Sequence, residues 1–371
     1  MHKESHQHMD VVAMFKPVTK WAQTVHHPEN IPEIVRKAFK VAEAEKPGAV
    51  LIELPEDLAE AQVEGKPLTP TKTRRAGADH KAVAQAVEII ATAKNPIILA
   101  GNGAVRKRAA AQLQRLAKLA GIGVVNTFMG KGAVPRGDEH CLFTMGLQGR
   151  DYINLALDDC DVVIAVGYDL VEYAPAFWNR GMEKKIVHID FTPAEVDTAY
   201  PVAVEVVADV ADALWQICEK LEEDHQSKLP LFDIKDRARL RAHILEDFAM
   251  EKDDQSFPVK PQKVLWDVRE FLGPEDILLS DVGAHKMWIA RYYQCDEPNT
   301  CLISNGFCTM GFALPGAIGA KYARPDRKVL AICGDAGFLM NVQDLETAVR
   351  LKKNIVVMIW MDGEYGLIKW K

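Results

Sequence analysis

Asp335 and Asp362 stand 27 residues apart, and each follows a short apolar run, 329–333 and 355–360, within a glycine-containing turn. If the two runs are neighbouring strands of a parallel sheet joined by a helix over 343–351, both carboxylates project from its carboxyl edge. Open α/β sheets collect their ligands there. Two carboxylates at one edge repel each other unless a cation lies between them. Mg²⁺ suits such a pair, because it takes one or two carboxylates and completes its octahedron with phosphate oxygens and water. The main-chain carbonyl of Glu364, in the GEYG turn, would be a third ligand. Ala336, Gly337 and Phe338, placed between strand and helix, would offer backbone N–H groups to a phosphate. Asp also opens turns with no metal present, and spacing alone leaves both readings open.

The elements that must position this pair belong to a chain of 371 residues, long enough for two or three domains. A hydrophobic fraction of 48% and a charged fraction of 26% are those of a soluble globular protein. The net charge of −7 and the lack of a Lys/Arg stripe argue against nucleic acid as a partner. No apolar run approaches the roughly 18 residues of a membrane span, which argues against a membrane partner. The opening MHKESHQHMD lacks the apolar core of a signal peptide. Seven scattered cysteines without a CxxC read as reduced thiols of a cytoplasmic protein.

Three blocks follow along the chain. The first, 1–60, has a helix over 31–45 and a buried strand over 49–54 closed by Pro55. It reads as the tail of a domain whose beginning lies outside the chain. Residues 61–78 read as a linker. The second block, 79–225, alternates strand-like runs at 96–100, 123–125, 162–166 and 186–189 with helices over 82–93 and 106–120. That alternation predicts a parallel sheet covered on both faces. GNGAVR (101–106) follows the first of these runs as a nucleotide-binding turn would, but without the full G-x-G-x-x-G spacing. VGYD and HID end two further runs. Plain turn-making is the preferred reading of these glycines and acids. A polar stretch with a helix, 226–260, links to the third block, 261–371. There the runs fall at 277–279, 301–303, 329–333 and 355–360, with helices over 286–293, 313–322 and 343–351.

GDAGF followed by DGEYG resembles the diphosphate-binding signature of thiamine-diphosphate enzymes, which begins GDG and ends NN or ND. Ala336 takes the third position, a variant familiar in the acetohydroxyacid synthase branch. Met361 replaces the Asn of the closing pair, losing a polar contact but keeping the metal ligand at Asp362. SDVGAHKMWIARYY (280–293), SNGFCTMGFALPGAIGAKYARPD (304–326), VGYDLVEYAPAFWN (166–179), KPVTKWAQTV and PGAVLIELPEDL extend the resemblance over essentially the whole chain. It points to the acetolactate synthases. The GYD…EY…FWN segment is more similar to the catabolic, flavin-independent type, which argues against FAD.

The resemblance implies an α/β fold of parallel sheets covered by helices: a partial N-terminal pyrimidine-binding domain, a Rossmann-like middle domain and a C-terminal diphosphate-binding domain. Position by position, it implies that Asp335, Asp362 and the Glu364 carbonyl ligate Mg²⁺. Gly283 and His285 would line the diphosphate. Met310 would be the apolar wedge under the cofactor, and Ala336, Gly337, Tyr365, Gly366 and Leu367 would border it. Gln7 would be an active-site contact near the neighbouring subunit. Read without the resemblance, Met310 is core filler and His285 a helix-capping surface residue.

The implied parent enzyme decarboxylates pyruvate on thiamine diphosphate and condenses the hydroxyethyl unit with a second 2-oxo acid. It would be a homodimer or homotetramer, because the site is shared between subunits. The activating glutamate is expected in the N-terminal domain, so no catalytic residue is identified in this chain, which is expected to be an internal fragment inactive alone. Three alternatives stand beside this reading. One is another thiamine-dependent enzyme, benzoylformate decarboxylase-like or glyoxylate carboligase-like. Another is a non-catalytic nucleotide-binding module using GNGAVR, and the third is a purely structural fragment.

Overall fold

The computed structural model describes residues 9–71, 75–147 and 151–369; Gln7 lies outside them. The chain forms two compact units that divide between Arg75 and Ala76.

In the first unit, β1 (Trp21–Thr24) and β2 (Val50–Glu53) pair in parallel, with Trp21 level with Val50. Helix Ile31–Glu43 connects them and buries Ile34 and Ala38 on its inner stripe. Strand β1 escaped the sequence reading because WAQT is four residues long and half polar, with no apolar run to mark it.

The second unit holds two all-parallel sheets. The larger contains β3 (Pro96–Ala100), β4 (Val124–Asn126), β5 (Cys141–Thr144), β6 (Val162–Val166), β7 (Lys185–Asp190) and β8 (Val202–Val207). Their order is β5-β4-β3-β6-β7-β8, so the winding direction reverses between β3 and β6. Both of those strands are buried along their full length, as expected for a sheet covered on two faces. β5 and β8 were not foreseen. β8 lies at the sheet edge and buries only alternate residues, so VAVEVV does not read as a continuous core run. Within the stretch expected to link, helix Lys235–Ala249 buries Ile244 and Phe248 in the core of this sheet.

The smaller sheet contains β9 (Ile277–Ser280), β10 (Cys301–Ile303), β11 (Val329–Gly334) and β12 (Val356–Trp360) in the order β10-β9-β11-β12. Its winding reverses between β9 and β11. Ser280 is level with Ile332, and Gly334 with Trp360. Helix Asp344–Arg350 joins β11 to β12, as the apolar spacing predicts. Among the described residues, no helix is long and apolar enough to cross a membrane, and all seven cysteines are unpaired.

The two sheets of this unit are tied by a buried lysine. The Lys131 ammonium donates to Ala290 O at 2.8 Å and to Thr144 Oγ1 at 3.0 Å, with Gln294 Oε1 at 3.3 Å. Thr144 Oγ1 also accepts from Asn126 Nδ2 at 2.9 Å, so removing the ammonium bears mainly on Ala290 O and Gln294 Oε1, and losing a buried donor costs about 1–3 kcal/mol. Lys131→Met is expected to lower unfolding free energy by about that amount in urea melts. An unchanged midpoint would show that the ammonium does not hold the two sheets together.

Candidate cofactor site

Three adjacent strands end in aspartate. Asp281 follows β9 directly, Asp335 follows β11 directly, and Asp362 comes two residues after β12. Because β9, β11 and β12 are parallel neighbours, all three emerge at one carboxyl edge. The β9–β11 reversal makes this edge the crevice where open sheets bind ligands.

The three carboxylates are treated differently. Asp281 is buried, and its oxygens accept the N–H groups of Val282 at 2.8 Å, Gly311 at 3.1 Å and Phe312 at 3.2 Å. Burial still pushes its carboxyl above the ordinary range. Asp335 is half-buried and accepts the Ala336 N–H at 2.7 Å, while the exposed Asp362 accepts the Glu364 N–H at 3.2 Å. Among the described residues, neither of those two forms a salt bridge, and Lys369 pairs with Glu364 instead.

His285 lies on the first turn of helix Ala284–Tyr292, buried, with its ring centroid 6.4 Å from that of Trp360. Burial drives its pKa down to about 4, against a hydrogen bond with the Asp281 backbone and the attraction of Asp362 and Asp335. Both carboxylates therefore act on one imidazole. Its Nε2 is buried without a hydrogen-bond partner. Glycines make the close approaches possible: a Cβ at Gly283 would fall 2.8 Å from His285 Nδ1, and one at Gly366 would fall 3.0 Å from Asp362 Oδ2.

The structure thus gathers Asp335, Asp362, His285, Gly283 and Gly366. Ala336 and Gly337 lie inside the first turn of helix Asp335–Met340, where they had been placed before it. Gly337 presses on Asp281, whose Oδ2 would be 2.5 Å from an added Cβ. The Glu364 carboxylate pairs with Lys369 at 2.7 Å; Tyr365 is exposed and Leu367 half-buried. Met310 is half-buried just before Gly311. Asp281 holds the Gly311 N–H, and Asn341 Nδ2 donates to Gly311 O at 2.7 Å, so the Met310 loop is tied from two sides. Sequence reading missed Asp281 and Asn341. Asp281 carried the same signal as Asp335, an aspartate directly after an apolar run; Asn341 carried none.

These residues fit a diphosphate-bearing cofactor with a divalent cation. The donors are hard oxygens, a buried imidazole nitrogen lacks a partner, and glycines keep side-chain atoms away. Among the described residues no cluster of three His, Cys, Asp or Glu gathers as a metal site. Further ligands would come from main chain, water or phosphate.

Residues 83–217 match the family of the thiamine pyrophosphate enzyme central domain, and residues 281–371 match the C-terminal TPP binding domain of thiamine pyrophosphate enzymes. The chain is 33% identical to an acetolactate synthase of Bacillus subtilis over 100% of its own length and 65% of the relative's. It is 36% identical to a catabolic acetolactate synthase of Raoultella terrigena over 98% of the chain and 65% of the relative. It is 34% identical to a probable acetolactate synthase large subunit of Methanocaldococcus jannaschii over 99% of the chain and 64% of the relative. The chain therefore spans about 65% of the length of these relatives.

The depressed His285 pKa has a consequence for stability. Between pH 6.5 and about 4 the unfolded chain binds a proton at this residue and the cofactor-free fold does not. Stability is therefore lost as pH falls through that window, by at most about 3 kcal/mol. His285→Gln is expected to lose less unfolding free energy than the parent between pH 7 and 5 in urea melts without cofactor. Equal losses would mean that the imidazole is hydrated.

Proposed function

We propose that this chain, which belongs to the thiamine pyrophosphate enzymes, acts in an acetolactate synthase that takes pyruvate and a second 2-oxo acid. The observation that supports the reading most is the shared edge of Asp335, Asp362 and His285, in a chain whose relatives carry that name. Thiamine diphosphate, when bound, supplies the electron sink for losing carbon dioxide from one 2-oxo acid and joining the rest to another.

The chain's own part is placement and charge. Asp335 and Asp362 would hold Mg²⁺, with the Glu364 carbonyl as a third oxygen. His285 Nε2, buried and unpartnered, would face the diphosphate; Gly283 leaves the imidazole room, and Gly366 leaves room beside Asp362. The loop of Met310, held by Asp281 and Asn341, would support the cofactor's rings from below. Ala336, Gly337, Tyr365 and Leu367 complete the surround. The reading includes a cytoplasmic homodimer or homotetramer and no FAD.

In the natural protein, pyruvate with thiamine diphosphate and Mg²⁺ is expected to yield acetolactate. Asp335→Ala or Asp362→Ala is expected to lower the rate at least about a hundredfold. Preferred turnover of glyoxylate or benzoylformate would contradict the assignment, as would full activity of the Asp335 variant.

A further inference from the structure

The larger sheet of the second unit has the strand order of a dinucleotide-binding domain, and its reversal between β3 and β6 marks the crevice where such sheets hold a phosphate. GNGAVR leaves β3 and VGYD leaves β6 at this point. The crevice already contains an anion of the chain's own. Glu172 is buried, and both of its carboxylate oxygens face the Asn102 N–H, at 3.0 and 3.2 Å. Oε1 also accepts the Asp169 N–H at 3.0 Å, and Oε2 accepts the Thr127 hydroxyl. The Thr127 oxygen in turn accepts the Gly130 N–H at 3.1 Å, which turns its own proton towards the carboxylate.

The donors therefore come from the ends of β3, β4 and β6, and two of them are main-chain N–H groups, the kind of nest that elsewhere cradles phosphate. The turns around it are closed up. Gly103 N–H donates to Gly167 O at 2.8 Å, and a Cβ at Gly101 would lie 2.4 Å from Gly167 O and 2.7 Å from Glu172 Oε1. Burial raises the Glu172 carboxyl to about 7 despite these donors, with the Asp169 charge adding to the rise. Such a carboxyl is retained at a cost, which suits a group whose place is set by what it occupies.

We propose that the Glu172 carboxylate is a built-in anion filling the phosphate position of this crevice, so that it shuts out phosphate-bearing ligands. Deleting it should leave a cradle that takes a small carboxylate from solution. The inference is independent of the reaction proposed above. Its residues are remote in sequence from Asp335 and Asp362, although Asn305 Nδ2, on the Met310 loop, donates to Glu172 O at 3.1 Å.

The test is thermal melting of Glu172→Ala at pH 8 in sodium acetate against sodium chloride at equal ionic strength, with the parent protein alongside. The variant is expected to melt roughly 5 °C lower in chloride and to regain much of the loss, saturably, in acetate. The parent should show no acetate-specific shift. Acetate binding at a 2-oxo acid site would shift both proteins alike, and that outcome overturns the proposal. So does a folded variant whose melts in the two salts coincide. If Glu172→Ala does not fold in either salt, Glu172→Ser is put through the same pair of melts under the same criterion.

Discussion

Like charge converging on one sheet edge is the constraint on which the C-terminal half of this chain depends. β9, β11 and β12 are adjacent and parallel, and each delivers an aspartate to the same side. A carboxylate delivered to a sheet edge needs donors or a cation to meet its charge. The fold meets one of the three itself: Asp281 is surrounded by the N–H groups of Val282, Gly311 and Phe312, and in accepting them it fixes the loop that carries Met310. The other two are left facing a buried imidazole whose Nε2 has no partner. That division suits an edge prepared for a dication and an anionic ligand together.

The second unit contains two such edges, each at a point where the winding of a parallel sheet reverses. At the β3–β6 crevice the donors converge on Glu172, and at the β9–β11 crevice carboxylates and one imidazole nitrogen without a partner are left over. Similar backbone geometry thus reaches opposite electrostatic states through the side chains at the strand ends. Lys131, Asn299 and Asn305 then link the two sheets, with Asn299 Nδ2 donating to Val105 O at 3.0 Å.

Long, fully buried strands such as PIILA and VVIAV were legible in the sequence, because such a run has one physical explanation. Short or edge strands were not: WAQT, CLFT and VAVEVV carry too little continuous apolar character, and tertiary pairing decides them. Asp335 and Asp362 could be singled out because the rule that placed them is local, an aspartate after an apolar run. Asp281 obeys the same rule and lies within SDVGAHKMWIARYY, but only Gly283 and His285 of that segment were given roles. Glu172 could not have been found that way. Its role comes from three turns that are distant in sequence, with partners at 102, 127 and 169.

The edge of Asp335 and Asp362 is proposed as a divalent-cation and diphosphate half-site. Calorimetric titration of thiamine diphosphate into the purified chain, in Mg²⁺ and then in EDTA, with Asp335→Ala alongside, tests it most directly. Saturable binding that needs Mg²⁺ and disappears in the variant is the predicted result. Binding that persists in EDTA, or that Asp335→Ala leaves unchanged, would contradict it.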